Sequence, residues 1–109
     1  MLIKDENKVK FYQQPNGKEP FVEWSYSLDK TNQFRIFQRL NRLARGNFGD
    51  CKAVGDGVYE LRLFFGKGYR VYFGKEGNTI IIILCGGDKK TQSKDIEKAK
   101  QFWRDYNEQ

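Results

Sequence analysis

The side chains with the types and spacing to handle a phosphodiester are Lys52, Arg62, Arg70, Asp88, Lys89 and Lys90. A phosphodiester attacked by its own 2′-hydroxyl needs three things: stabilisation of the phosphorane charge, removal of the hydroxyl proton, and protonation of the leaving 5′-oxygen. Arginine supplies the first without risk of deprotonation. A lysine among other cations is shifted toward its neutral form and becomes usable as a base or acid, although bound phosphate pushes the other way. The chain has no histidine. Acid/base work therefore falls to Lys, Tyr, Asp or Glu, and a two-histidine ribonuclease or a Ser-His or Cys-His nucleophile pair is excluded. Phe64 and Tyr72 interleave with the cations as bases stacking beside a charged groove would require, while Tyr69 reads as a packing residue. The structural alternative is that Arg62 pairs with Glu60 or another acid and Arg70 only stacks on Phe64.

The elements that must position this set follow from periodicity and turn chemistry. Lys8 to Gln14 reads as a first strand, ended by Gln14-Pro15-Asn16-Gly17. Pro20 suits a first helical position, and Phe21, Trp24 and Leu28 recur at helical spacing, which predicts α1 over Pro20 to Leu28. Asp29 or Thr31 can cap a second helix reaching Arg45, with Gly46 in the left-handed position beyond it. On this helix Ile36, Leu40, Leu43 and Ala44, with Phe37 beside them, share a core face, and Arg35, Arg39, Arg42 and Arg45 fall on the opposite arc. Those arginines form either a solvated face or a surface for RNA or an acidic partner segment.

Asn47 to Gly57 reads as a glycine-rich connection without the spacing of a nucleotide-binding loop. Val58 to Phe65 and Tyr69 to Phe73 alternate as two strands joined by Gly66-Lys67-Gly68. That loop length pairs Phe65 with Tyr69, Leu63 with Val71 and Leu61 with Phe73 on a core face. Glu60, Arg62, Phe64, Arg70 and Tyr72 are left on the other face, with Arg62 opposite Tyr72 and Phe64 opposite Arg70. Thr79 to Cys85 is an unbroken apolar run, the pattern of a central strand covered on both faces. After Gly86-Gly87 and the polar segment Asp88 to Gln92, Ser93 can cap a last helix carrying Ile96, Ala99, Trp103 and Tyr106 at helical spacing. The order β-α-α-β-β-β-α predicts an α+β domain, with a mainly antiparallel sheet and helices packed on one face.

With 109 residues the chain is long enough for one core, which predicts a single domain. Lys plus Arg number 20 against 14 acids, a formal +6 that favours an anionic partner such as nucleic acid or an acidic protein. The two cysteines, Cys51 and Cys85, have no CxxC partner, so no ligand set for a structural zinc exists and no metal or cofactor is expected. No stretch reads as a signal peptide or a membrane span, so a cytoplasmic protein with reduced thiols is expected.

Four segments carry a family resemblance: Arg42-Leu43-Ala44-Arg45-Gly46-Asn47-Phe48-Gly49-Asp50, Gly57-Val58-Tyr59-Glu60-Leu61-Arg62, Gly66-Lys67-Gly68-Tyr69-Arg70-Val71-Tyr72-Phe73 and Leu84-Cys85-Gly86-Gly87-Asp88-Lys89-Lys90-Thr91-Gln92. Together they resemble the RelE/ParE toxin superfamily, and within it the HigB-like, phage Gp49-like addiction module killer branch. The similarity spans nearly the whole chain and is densest from Leu40 to Lys100. It implies the compact RelE-like fold and a type II toxin-antitoxin locus with a cognate antitoxin. It also implies ribosome-dependent cleavage of messenger RNA, and whether operator DNA is contacted through the antitoxin complex stays open. Carried over, Arg62 and Arg70 match the sheet arginines that hold the phosphate, Lys52 the basic position ahead of the hairpin, and Asp88, Lys89 and Lys90 the catalytic segment after the last strand. Related nucleases often offer a tyrosine or histidine in that segment, where this chain has Lys89-Lys90. Two alternatives stay open: a ParE-like toxin that inhibits DNA gyrase by binding, and an inactive member kept as a partner-binding protein.

Overall fold

The computed structural model describes residues 8–109. In chain order they form β1 (Lys8–Phe11), α1 (Pro20–Tyr26), α2 (Lys30–Ala44), β2 (Cys51–Gly55), β3 (Val58–Arg62), β4 (Arg70–Glu76), β5 (Ile80–Gly87), a 3₁₀ turn (Lys89–Thr91) and α3 (Gln92–Asn107). The five strands make one sheet in the order β1-β5-β4-β3-β2. β1 runs parallel to β5, and the β5–β4, β4–β3 and β3–β2 ladders are antiparallel. The architecture is the expected α+β arrangement with a mainly antiparallel sheet.

Helix ends follow local chemistry. Pro20 opens α1, where its missing N–H costs nothing. The Asp29 carboxylate accepts from the Asn32 N–H to cap α2. At the far end Gly46 takes φ +88, which lets its N–H reach the Leu43 carbonyl and the Asn47 N–H reach the Arg42 carbonyl, closing the helix with a paired C-terminal motif.

Three expectations are corrected. The segment from Asn47 to Gly57 is not only a connection: Cys51–Gly55 is an edge strand paired antiparallel with β3. Asp56-Gly57, both at positive φ (56° and 83°), makes the two-residue hairpin turn between them, a sequence signal that outweighs the surrounding glycines. The β3–β4 register is shifted by two residues from the expected one. Arg62 lies opposite Arg70, Glu60 opposite Tyr72 and Leu61 opposite Val71, because the loop runs from Phe64 to Gly68, with a tight turn inside it closed by the Gly68 N–H on the Phe65 carbonyl. A slip of two keeps every side chain on its expected face while changing its partner.

The third correction is that the helices pack on both faces of the sheet and not on one. α1 and α2 bring Phe21, Ile36, Leu40 and Leu43 against Leu61, Val71, Phe73, Ile81 and Ile83 on one side. α3 brings Ala99, Phe102 and Trp103 against Val58, Tyr72, Ile82 and Leu84 on the other. The apolar run of β5 requires this: Ile81 to Leu84 alternate between the faces and are all buried, each at roughly 1.5–3 kcal/mol of burial. Trp103 lies directly over Gly74 and Gly57, so that a Cβ at Gly74 would come 2.5 Å from its ring. Glycine there lets α3 approach the sheet closely. No helix among the described residues is long and apolar enough to cross a membrane.

Cys51 faces the α1–α2 core and Cys85 the α3 core, with β4 and β3 between their strands. Three strand spacings of roughly 4.8 Å put them beyond disulfide reach, and both are free thiols. Burial pushes the Cys51 thiol up to about 11 and the Cys85 thiol up to about 12. Because the folded state holds these protons more tightly, this contribution to stability is complete below about pH 9 and is lost as pH rises through the folded values. A disulfide-exchange reagent at pH 8 should label Cys51 slowly and Cys85 only on unfolding; fast labelling of both in the native state would contradict this packing.

Candidate functional site

The cations gather where β3 ends and β4 begins. Arg62 and Arg70 are cross-strand neighbours, on the face that also carries Glu60 and, from β2, Lys52 opposite Glu60. Like charges placed directly opposite repel, and each arginine has an acid beside it. Arg62 Nε lies 3.9 Å from Asp50 Oδ2. Arg70 Nε lies 3.7 Å from Glu60 Oε2, and Lys52 Nζ 4.0 Å from Glu60 Oε1. Glu60 is fully buried; its Oε2 accepts from the Tyr72 hydroxyl at 3.0 Å and from Gln92 Nε2 at 2.8 Å. Arg70 Nη1 donates to the Gly68 carbonyl at 2.7 Å, locking the guanidinium to the hairpin loop.

Arg62, Arg70 and Lys89 line one cavity of about 350 Å³ floored by the hairpin loop. Phe64 is at its rim, 77% exposed, with the Arg62 guanidinium 5.8 Å from its ring centroid. Lys89 also borders a second hollow shared with Lys67 and Lys90. These lysines are placed by Asp88, whose Oδ1 accepts from the backbone N–H of Lys90 at 2.9 Å and of Thr91 at 3.1 Å, while the Asp88 N–H donates back to Thr91 Oγ1. Asp88, expected as a catalytic group, is thus the cap of the turn that presents Lys89 and Lys90.

On the other side of the hairpin tip the groove continues toward α2. Arg62, Phe64 and Phe65 border a neighbouring hollow with Arg42 and Asp50, and Arg35 stacks on the Phe65 ring at 4.3 Å. Arg42 is exposed, and Arg45 is exposed at the C-cap of α2. A continuous track therefore runs from Lys90 through Lys89, Arg70 and Arg62 to Arg42 and Arg35.

Two expected RNA-contacting side chains are corrected. Tyr72 is fully buried under α3 and offers no face to a base. Burial and then the Glu60 carboxylate push its hydroxyl far above the ordinary tyrosine range, so it is a permanent donor to Glu60. Arg39 is 9% exposed, and its Nη1 and Nη2 donate to the carbonyls of Asn47 and Phe48 at 3.0 and 2.6 Å. It clamps the loop between α2 and β2, packed so closely on Gly49 that no Cβ fits there. Burial, followed by Arg42, lowers its pKa, with the Cys51 thiol acting the other way.

Glu60, Gln92, Phe65 and Lys67 belong to the site and were not singled out from the sequence. Glu60 had a signal: it is an acid between apolar residues on a strand whose second face a helix covers. The apolar run of β5 requires a cover on that face, and α3 supplies it.

A family profile described as phage-derived protein Gp49-like (DUF891) matches residues 23–104. A curated uncharacterized protein of Haemophilus influenzae is 54% identical over 66 residues, which cover 61% of this chain and 67% of that protein. The matched residues 23–104 include every cation of the track from Lys90 to Arg35.

Hydrogen bonds made by a charged group contribute about 1.5–3 kcal/mol each, and Arg39 makes two part-buried ones, so Arg39→Ala should lower unfolding stability by at least about 2 kcal/mol in a urea titration. Retention of full stability would remove the loop-clamp role.

Proposed function

We propose, from the premise that this chain belongs to the Gp49-like family of RelE/ParE-type addiction-module toxins, that it arrests growth as a ribosome-dependent messenger RNA endoribonuclease. The observation that carries this reading is the convergence of Arg62, Arg70 and Lys89 on one open cavity with exposed Phe64 at its rim. The reaction is an in-line displacement: the 2′-oxygen bonds to phosphorus, the bond from phosphorus to the 5′-oxygen breaks, and a 2′,3′-cyclic phosphate and a 5′-hydroxyl result. Arg62 and Arg70 stabilise the phosphorane charge. Lys89 and Lys90, at the mouth of the groove, take the 2′ proton and return one to the 5′-oxygen, with Lys52 holding positive charge at the edge. Tyr72, held protonated, takes no part as a base. Phe64 stacks a base, and Arg42 and Arg35 hold the flanking strand or ribosomal RNA.

The cognate antitoxin that the family implies is proposed to neutralise the toxin by laying an acidic segment along the same track. Arg42 is the better probe of that contact than Arg39, which is occupied by its loop carbonyls. Arg42→Glu should weaken the complex at least about tenfold; an unchanged affinity would place the antitoxin elsewhere.

Primer extension after induction should map new RNA ends inside translated frames. Arg62→Ala or Arg70→Ala should each slow cleavage by about 10²–10³-fold, the effect of removing one transition-state donor, with circular dichroism unchanged. Growth arrest with an intact message pool and inhibited supercoiling by gyrase would overturn the ribonuclease reading in favour of the ParE-like one.

A further inference from the structure

Glu60 is a buried acid that the proposed reaction leaves unused. Replacing such a group by an apolar side chain of similar volume often stabilises a fold, because the desolvation of the carboxylate is rarely repaid in full. Its surroundings describe a different task. Oε2 receives the Tyr72 hydroxyl and the Gln92 amide, which fix the carboxylate plane from the α3 side. On the groove side stand the cations Arg70, at 3.7 Å, and Lys52, at 4.0 Å. Among the described residues neither Glu60 Oε1 nor Arg70 Nε has a hydrogen-bond partner, so the contact between acid and cations is electrostatic and close without being closed. Arg70 is held at two places, by Gly68 through Nη1 and by the Glu60 charge behind Nε. Held in this way and nearly buried, Arg70 lines the cavity.

We propose that Glu60 is a positioning residue: from beneath the groove its charge orients the Arg70 guanidinium and anchors Lys52, and it offsets the repulsion between Arg70 and Arg62 while no phosphate is bound. This rests on the reading of the groove as a phosphate site. Glu60 touches no substrate; it acts through Arg70, with Tyr72 and Gln92 fixing its own orientation. The role differs from simple core packing because it needs the negative charge rather than the volume of the side chain.

The test uses the full chain labelled with nitrogen-15, the Arg70 Nε–Hε signal being assigned through Arg70→Lys. That signal should be narrow in the wild type, and Glu60→Gln should broaden it and speed its exchange at least about tenfold, leaving the Arg62 signal in place. Tyr72→Phe, which keeps the ring in the core and removes only the donor to Glu60, should shift the Arg70 signal in the same direction by less. It serves alone if Glu60→Gln fails to fold. Affinity for a single-stranded RNA oligonucleotide made uncleavable by a 2′-deoxy substitution gives a second readout. Glu60→Gln should weaken binding about tenfold with Arg70 present and leave it unchanged in an Arg70→Ala background. An unchanged Arg70 signal in folded Glu60→Gln, or in Tyr72→Phe where only that variant folds, would overturn the proposal, as would equal losses of affinity with and without Arg70. A wild type that binds this oligonucleotide but cuts no RNA would instead end the ribonuclease reading and leave the role of Glu60 standing.

Discussion

Two arginines placed directly opposite each other across β3 and β4 are the constraint around which this molecule is arranged. Side by side on a strand pair they repel, and they stay there because an acid is set against each: Asp50 beside Arg62 at the surface, and Glu60 beneath Arg70 in the interior. The buried acid in turn needs donors, which α3 and β4 supply through Gln92 and Tyr72. The cationic groove is thus the exposed end of a polar network that ties the last helix to the sheet. Hydrogen bonds fix the Glu60 carboxylate on its α3 side, and charge alone holds it toward Arg70 and Lys52.

The apolar part of the fold keeps that network in register. β5 has buried side chains on both faces, so the sheet is closed by α1 and α2 on one side and by α3 on the other. Trp103 over Gly74 and Gly57 draws α3 close enough for Gln92, at its N-terminus, to reach Glu60. The same geometry places the Asp88-capped turn beside the hairpin loop, where Lys89 and Lys67 meet. Charge placement at the groove is therefore a consequence of how closely the helix can approach the sheet.

Much of this was legible in the sequence where one residue type has one physical use. Pro20, Asp29 and Gly46 marked helix ends, the run from Thr79 to Cys85 marked the central strand, and alternation placed Arg62 and Arg70 on one face. What failed depended on tertiary context. The hairpin loop is longer than three residues because Phe64 and Phe65 leave the ladder to line the groove, and nothing in Phe65-Gly66-Lys67-Gly68 states that. Tyr72 and Glu60 looked solvent-facing because the face they occupy was expected to be open, although the apolar run in β5 already required a cover there. Arg39 sits with the other helix arginines by angle, but the path of the loop that follows decides its role.

The central claim, that paired sheet arginines make this groove a site of RNA transesterification, is tested most directly by the chemistry of the ends it leaves. Purified toxin added to a reconstituted translation reaction should release messenger fragments bearing 2′,3′-cyclic phosphate or 3′-phosphate ends paired with 5′-hydroxyls, and Arg62→Ala should release none above background. Intact messenger RNA in the presence of folded, growth-arresting toxin, or fragments carrying 5′-phosphates, would contradict it.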